Sequence, residues 1–149
     1  MRIALFQPEI AGNVGTILRV GACFDVALDL IEPMGFPWSD RSRKRAAMDY
    51  DDRVDVRRHA DWDAFAAALT GRLVLFTTRG GVALPQARFE RGDTLLFGSE
   101  SAGVPDFVHA HADLAVRIPL QPAARSLNLA VAVGIGIAEA LRQTEGFAP

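Results

Sequence analysis

The chain has 149 residues, half of them hydrophobic, with a formal net charge of −2. This suits one α/β-sized globular domain over residues 1–149 and excludes a whole-molecule polycation, although a local basic patch can still serve an anionic partner. The single cysteine, Cys23, argues against disulfides and cysteine-ligated metal, and the start MRIALFQPEIAGN meets Pro8 and Glu9 too soon for a signal peptide.

In chain order, Ile3 to Phe6 is a short apolar run ended by Gln7-Pro8 and reads as a buried strand. Asn13 to Phe24 shows helical spacing through Val14, Ile17, Leu18, Gly21 and Ala22, with Gly12-Asn13 as its start. Cys23 lies inside this run and reads as a small buried hydrophobe. Leu28 to Ile31 is a second strand, closed by Glu32-Pro33-Met34-Gly35. A basic segment, Ser39 to Met48, and an acidic one, Asp49 to Asp52, precede a weak strand at Val54 to Val56. Trp62 to Leu69 is an amphipathic helix preceded by Asp61, with Trp62 read as core.

Arg72 to Thr78 and Thr94 to Phe97 are strongly apolar strands, and the loop GSESAGVP follows the second. Leu114 to Ile118 is the last strand. The closing helix spans Leu127 to Arg142, with Ser126 as N-cap and no charge until Glu139. A helix so apolar is buried over most of its circumference, and burying Asn128 in its first turn requires a hydrogen bond. Asn128 therefore sits at a cap or in a site. A mean hydropathy of +0.14 adds the expectation that a second subunit covers apolar surface in a homodimer. No apolar run is long and uninterrupted enough for a membrane span, and a cytoplasmic location is expected.

Strands alternating with helices at this spacing imply an α/β fold with a mostly parallel sheet flanked by helices. Ligands of such sheets bind outside the carboxyl ends of the strands. The loops there are Thr77 to Gly81, Gly98 to Gly103, and Pro119 to Ser126. Gly98 and Gly103 have P-loop spacing, but Val104-Pro105 stand where Lys and Ser/Thr are needed. Ser101 lacks the glycine two residues earlier that a nucleophile elbow requires. Gly12 and Gly15 have the wrong interval for a dinucleotide fingerprint. What remains is a loop whose glycines let backbone amides approach a ligand closely, with Glu100 as an acceptor within it.

The segments PEIAGNVGTILR, LLFGSESAGVP and IPLQPAARSLNLAVAVGI resemble the three motifs of the SPOUT methyltransferase superfamily. With IEPMGFPW and the motif spacing, the similarity is closest to the TrmL/YibK-like group, tRNA wobble-nucleotide 2′-O-methyltransferases. It covers nearly the whole chain. The resemblance implies a C-terminal trefoil knot, S-adenosylmethionine as cofactor, no metal, a homodimer, and the tRNA anticodon stem-loop as partner. The implied reaction is methylation of the ribose 2′-hydroxyl of nucleotide 34, a cytidine or modified uridine.

By the same resemblance, cofactor contacts fall on Phe76, Thr77, Gly98, Glu100, Gly103, Ile118, Leu120, Ser126 and Leu127. The catalytic set is Arg19, Asn13, Ser126 and Asn128. Guanidinium stays protonated, so Arg19 stabilises a developing alkoxide or grips the adjacent phosphate rather than removing a proton. Asn13 and Asn128 orient the hydroxyl or the methionine moiety. Arg41, Arg43, Lys44 and Arg45 supply phosphate contacts that read no sequence. Ala130, Gly134 and Ala138 permit close approach of another helix. Relatives often carry tyrosine at the position of Ala138. Other readings are 2′-O-methylation elsewhere in tRNA or in rRNA, a non-catalytic RNA-binding relative, and a nucleotide-binding or metabolite-sensing protein.

Overall fold

The computed structural model describes residues 1–39 and 54–149. The strands are β1 (Arg2–Phe6), β2 (Ala27–Ile31), β3 (Val56–His59), β4 (Leu73–Phe76), β5 (Val82–Ala83), β6 (Thr94–Phe97) and β7 (Leu114–Arg117). The α-helices are α1 (Ala11–Phe24), α2 (Trp62–Ala68), α3 (Asp106–His111) and α4 (Leu129–Gln143). All seven strands form one sheet in the order β3-β2-β1-β6-β4-β7-β5, and every pairing is parallel.

The expected strands and long helices are present, with shifted ends. The weak strand lies at Val56–His59 rather than Val54 to Val56, and Arg72, Thr77, Thr78 and Ile118 fall outside their strands. Strand β5 and helix α3 are too short, at 2 and 6 residues, to give a periodic signal.

Central strands β4 and β6 are buried at every position because helices cover both faces of the sheet. Alternation sends Ile3 and Leu5 of β1 to one face, with α1 and α4, and Ala4 and Phe6 to the other, with α2 and α3. Trp62 is buried in the second core, as its spacing predicts. Helix α2 is capped by Asp61, whose carboxylate accepts from the Ala64 N–H at 2.8 Å.

Two boundary readings are corrected. Helix α1 begins at Ala11 and places Asn13 in its first turn, buried, rather than at the cap. Helix α4 begins at Leu129, and Asn128 rather than Ser126 is its N-cap, accepting from the Ala130 and Val131 N–H groups. Asn128 is itself exposed, so the cap, not burial, explains its hydrogen bonds. Cys23 is exposed rather than buried, because it falls on the outward side of the last turn of α1. Ala130 turns inward to its own chain's core, while Gly134 and Ala138 are half-buried.

Helix α4 lies against paired aromatic rings. Phe76 and Phe97, register partners on β4 and β6, stack with centroids 4.6 Å apart. A Cβ at Gly136 would lie 2.8 Å from Phe76 Cζ and 3.2 Å from Phe97 Cζ, so glycine sets the helix-to-sheet distance. Gly136→Ala is expected to destabilise the fold by about 1–3 kcal/mol through overpacking. Urea denaturation checks this, and an unchanged midpoint would refute the close packing.

Candidate active site

The order of the sheet fixes where a cleft opens. From β1 the chain moves outward through β2 and β3, then crosses to the far side and returns to insert β6 between β1 and β4. The helix after β1 packs on one face and the helix after β6 on the other. The sheet thus reverses its winding between β1 and β6, and ligands of such sheets bind at the carboxyl edge beside that reversal. There a cavity of about 460 Å³ is lined from the loops after β1, β4, β6 and β7 and from the start of α4. Its size and mixed apolar and polar lining suit a small-molecule site.

The loop after β6 is folded on itself. Ser99 and Gly103 exchange two backbone hydrogen bonds, at 3.0 and 2.9 Å. Gly103 is left-handed with φ 66°, and a Cβ at Gly98 would lie 2.3 Å from the Gly103 carbonyl carbon. Both glycines are required by this hairpin geometry.

A chain of side-chain hydrogen bonds ties the loops together. Glu100 accepts from the backbone N–H of Glu9 at 2.7 Å and of Ile10 at 3.2 Å, and from Asn13 Nδ2 at 2.9 Å. Asn13 Oδ1 in turn accepts from Asn128 Nδ2 at 2.9 Å. Asn128 Oδ1 then caps α4 through the Ala130 N–H at 2.9 Å and the Val131 N–H at 3.3 Å. Asn128 thus serves both as a cap and as a site residue. The linkage is reciprocal, since the Glu9 carboxylate accepts from the Ser101 hydroxyl at 2.6 Å and its N–H at 2.8 Å. Those two donors hold the Glu9 carboxyl below its ordinary range. Helix α1 has no side-chain cap of its own, and the carboxylate of Glu100 occupies its N-terminus from another loop.

The cavity brings together Phe76, Thr77, Gly98, Glu100, Gly103, Ile118, Leu120, Ser126 and Leu127, together with Asn13 and Asn128. Arg19 is not among the residues lining it. It is exposed on α1, on a stripe with Gly12, Thr16 and Cys23, away from the buried face that carries Asn13. Arg41, Arg43, Lys44 and Arg45 lie outside the described residues. Ile10, Phe97, Arg79 and Ala132 also line the cavity and were not singled out from the sequence. The position of Phe97 at the end of its strand was legible, but its pairing with Phe76 depends on strand order. Arg79 stood in a marked loop with no motif to distinguish it.

The model of the SpoU rRNA Methylase family matches residues 1–138. The chain belongs to this family. A tRNA (cytidine(34)-2'-O)-methyltransferase of Ancylobacter novellus is 50% identical over 151 residues, covering 99% of this chain and 96% of that protein. A solved structure described as "Structural insights into the 2-OH methylation of C/U34 on tRNA" superposes with a TM-score of 0.90 at 45% identity, covering 95% of this chain and 94% of the other. An AdoMet-bound rRNA methyltransferase from Sinorhizobium meliloti gives a TM-score of 0.84 at 30% identity, covering 95% of this chain and 55% of that one. The likeness to other family members therefore spans the sheet, the strand-end loops and most of α4.

Because Glu100 faces only donors, a neutral amide in its place turns one acceptor into a donor opposed to another donor. Glu100→Gln is expected to lower unfolding stability by about 1–3 kcal/mol. A urea midpoint equal to the wild type's would remove Glu100 as the tie between the loops.

Proposed function

We propose that this chain methylates the ribose 2′-hydroxyl of the wobble nucleotide of tRNA, position 34, using S-adenosylmethionine. The observation that carries the reading is that every cofactor contact implied by the sequence motifs, drawn from separate strand ends, lines one cavity. The names of relatives aligned over nearly the whole chain support the substrate and the reaction. The C-terminal trefoil knot belongs to this reading through the resemblance of the sequence motifs.

The lining fits the cofactor. The folded Gly98–Gly103 loop brings backbone amides and carbonyls to the cavity, and Phe76, Ile118 and Leu120 supply apolar surface for adenine. When bound, S-adenosylmethionine supplies a methyl group already activated on a sulfonium, so the chemistry needs no metal. The chain's residues must bind it, orient the ribose and accommodate the charge that develops on the hydroxyl oxygen. The Asn13 and Asn128 amides are held by Glu100 and by the cap of α4, which presents them in a fixed orientation. Ser126 at the mouth has its hydroxyl available to the methionine or ribose end. Arg41, Arg43, Lys44 and Arg45 complete the reading as phosphate contacts.

Arg19 enters through a homodimer. Exposed Val131 and Ile135 share an outward stripe of α4, which packs beside α1 and its stripe of Thr16 and Arg19. A second copy docked there would cover the apolar residues and bring Arg19 into reach of the neighbouring cavity, where a permanent cation stabilises an alkoxide or holds a phosphate. Ile135→Asp is expected to convert the dimer to monomer in sedimentation, and an unshifted dimer would place the interface elsewhere.

The function is tested by transfer of labelled methyl from S-adenosylmethionine to bulk tRNA, followed by nucleoside analysis. The expected product is a 2′-O-methylated pyrimidine mapped to the anticodon. Cofactor binding without transfer to any tRNA would overturn the reading. Arg19→Ala is expected to cut turnover by about 10²-fold or more while cofactor affinity survives. Undiminished turnover would take Arg19 out of the reaction.

A further inference from the structure

The mouth of the cavity carries a cation that the preceding mechanism does not use. Arg79 follows β4 and is the only Lys or Arg among the described residues lining the cavity. Its backbone N–H donates to Thr77 Oγ1 at 3.0 Å, a local turn that fixes where the side chain leaves the loop. Gly80 and Gly81 follow with φ of 71° and 87°. A Cβ at Gly81 would lie 2.6 Å from the Ala115 carbonyl oxygen, so backbone contact with β7 pins this loop. The Arg79 side chain is not what holds the loop in place.

The guanidinium instead turns to the first turn of α3, where Nη2 donates to Asp106 Oδ1 at 2.7 Å on a residue outside the cavity lining. The arginine side chain is 60% exposed and the aspartate 89% exposed. Arg79 holds the Asp106 carboxyl below its ordinary range. This bond is a single contact rather than a paired fork, in full solvent, where water and salt screen it. Such a pair adds little to the fold. It does keep a cation with unused donors at the entrance of the cavity.

We propose that Arg79 grips the backbone phosphate beside the nucleotide that enters the cavity, and that Asp106 is the partner it leaves when RNA arrives. The inference rests on the reading of this chain as a tRNA methyltransferase. A phosphodiester presents two anionic oxygens that match the guanidinium fork, so a bidentate contact outcompetes the single bond to Asp106. Asp106 is already solvated and loses little when its partner departs. Its carboxylate otherwise repels an approaching phosphate. The two members of one ion pair therefore act on RNA binding with opposite signs.

The test compares Arg79→Ala, Arg79→Lys and Asp106→Asn in the full chain by anisotropy with tRNA over a salt series and by calorimetry with S-adenosylmethionine. Arg79→Ala should weaken tRNA binding about tenfold. Its slope of log affinity against log salt should shrink by about 0.7–0.9, the share of one phosphate contact. Arg79→Lys should recover part of the loss, because the charge remains but the fork does not. Asp106→Asn should tighten tRNA binding roughly two- to threefold. Cofactor affinity should stay constant in all three. Unchanged tRNA binding by Arg79→Ala would overturn the inference, and so would weakened cofactor binding. Equal weakening by Asp106→Asn would mark a structural brace and overturn it as well. Methyl transfer by the wild type is scored separately: Arg79-dependent tRNA binding with no transfer would remove the enzymatic reading and leave the phosphate grip standing.

Discussion

One carboxylate organises the site. Glu100 accepts from two backbone N–H groups at the entrance of α1 and from the Asn13 amide, and nothing it faces is an acceptor. That fixes the polarity of every following link. Asn13 must turn Nδ2 to Glu100 and Oδ1 outward, so Asn128 must offer Nδ2 and keep Oδ1 for the first turn of α4. Each amide is engaged at both its oxygen and its nitrogen, and neither can flip without opposing two like groups. Charge-assisted bonds at the start of such a chain strengthen the rest, and the N-terminus of α1 gains a negative charge where its dipole favours one. The result is a polar lining fixed in orientation before any ligand binds.

The sheet decides that these groups meet at all. Inserting β6 beside β1 places Gly98 to Gly103 against the β1–α1 loop, although about ninety residues separate them. The β7–α4 segment then brings Asn128 to the same edge. Below the cavity, stacked Phe76 and Phe97 form an apolar floor, and Gly136 lets α4 settle against it. Polar loops above and a close-packed aromatic layer below divide the work, one holding direction and the other holding distance.

Helix α4 illustrates how much of this was legible. Its apolar run announced burial, and Val133, Ile137 and Ala140 are indeed enclosed. Yet Val131 and Ile135 remain half-exposed on the opposite side, because the sheet and α1 cover only part of the circumference. The small residues Ala130, Gly134 and Ala138 looked equivalent by spacing. They are not, since Ala130 turns inward to its own chain. Ser126 and Asn128 were both acceptable caps by type, and the contact of Asn128 with Asn13, 115 positions away in sequence, distinguishes them.

Sequence by itself determined the α/β class, the long elements to within a few residues, the loops that carry the site and the motif residues that line it. These rest on local periodicity, glycine spacing and residue chemistry, which a chain expresses without knowing its neighbours. Only the tertiary structure decided which loops share one cavity, that Asn13 is a buried bridge rather than a cap, and that Arg19 lies outside its own chain's cavity. It also decided that Arg79 stands at the mouth with Asp106 as its partner. Those facts depend on strand order and on which side of each element faces the sheet, and both are set by contacts between residues far apart in sequence.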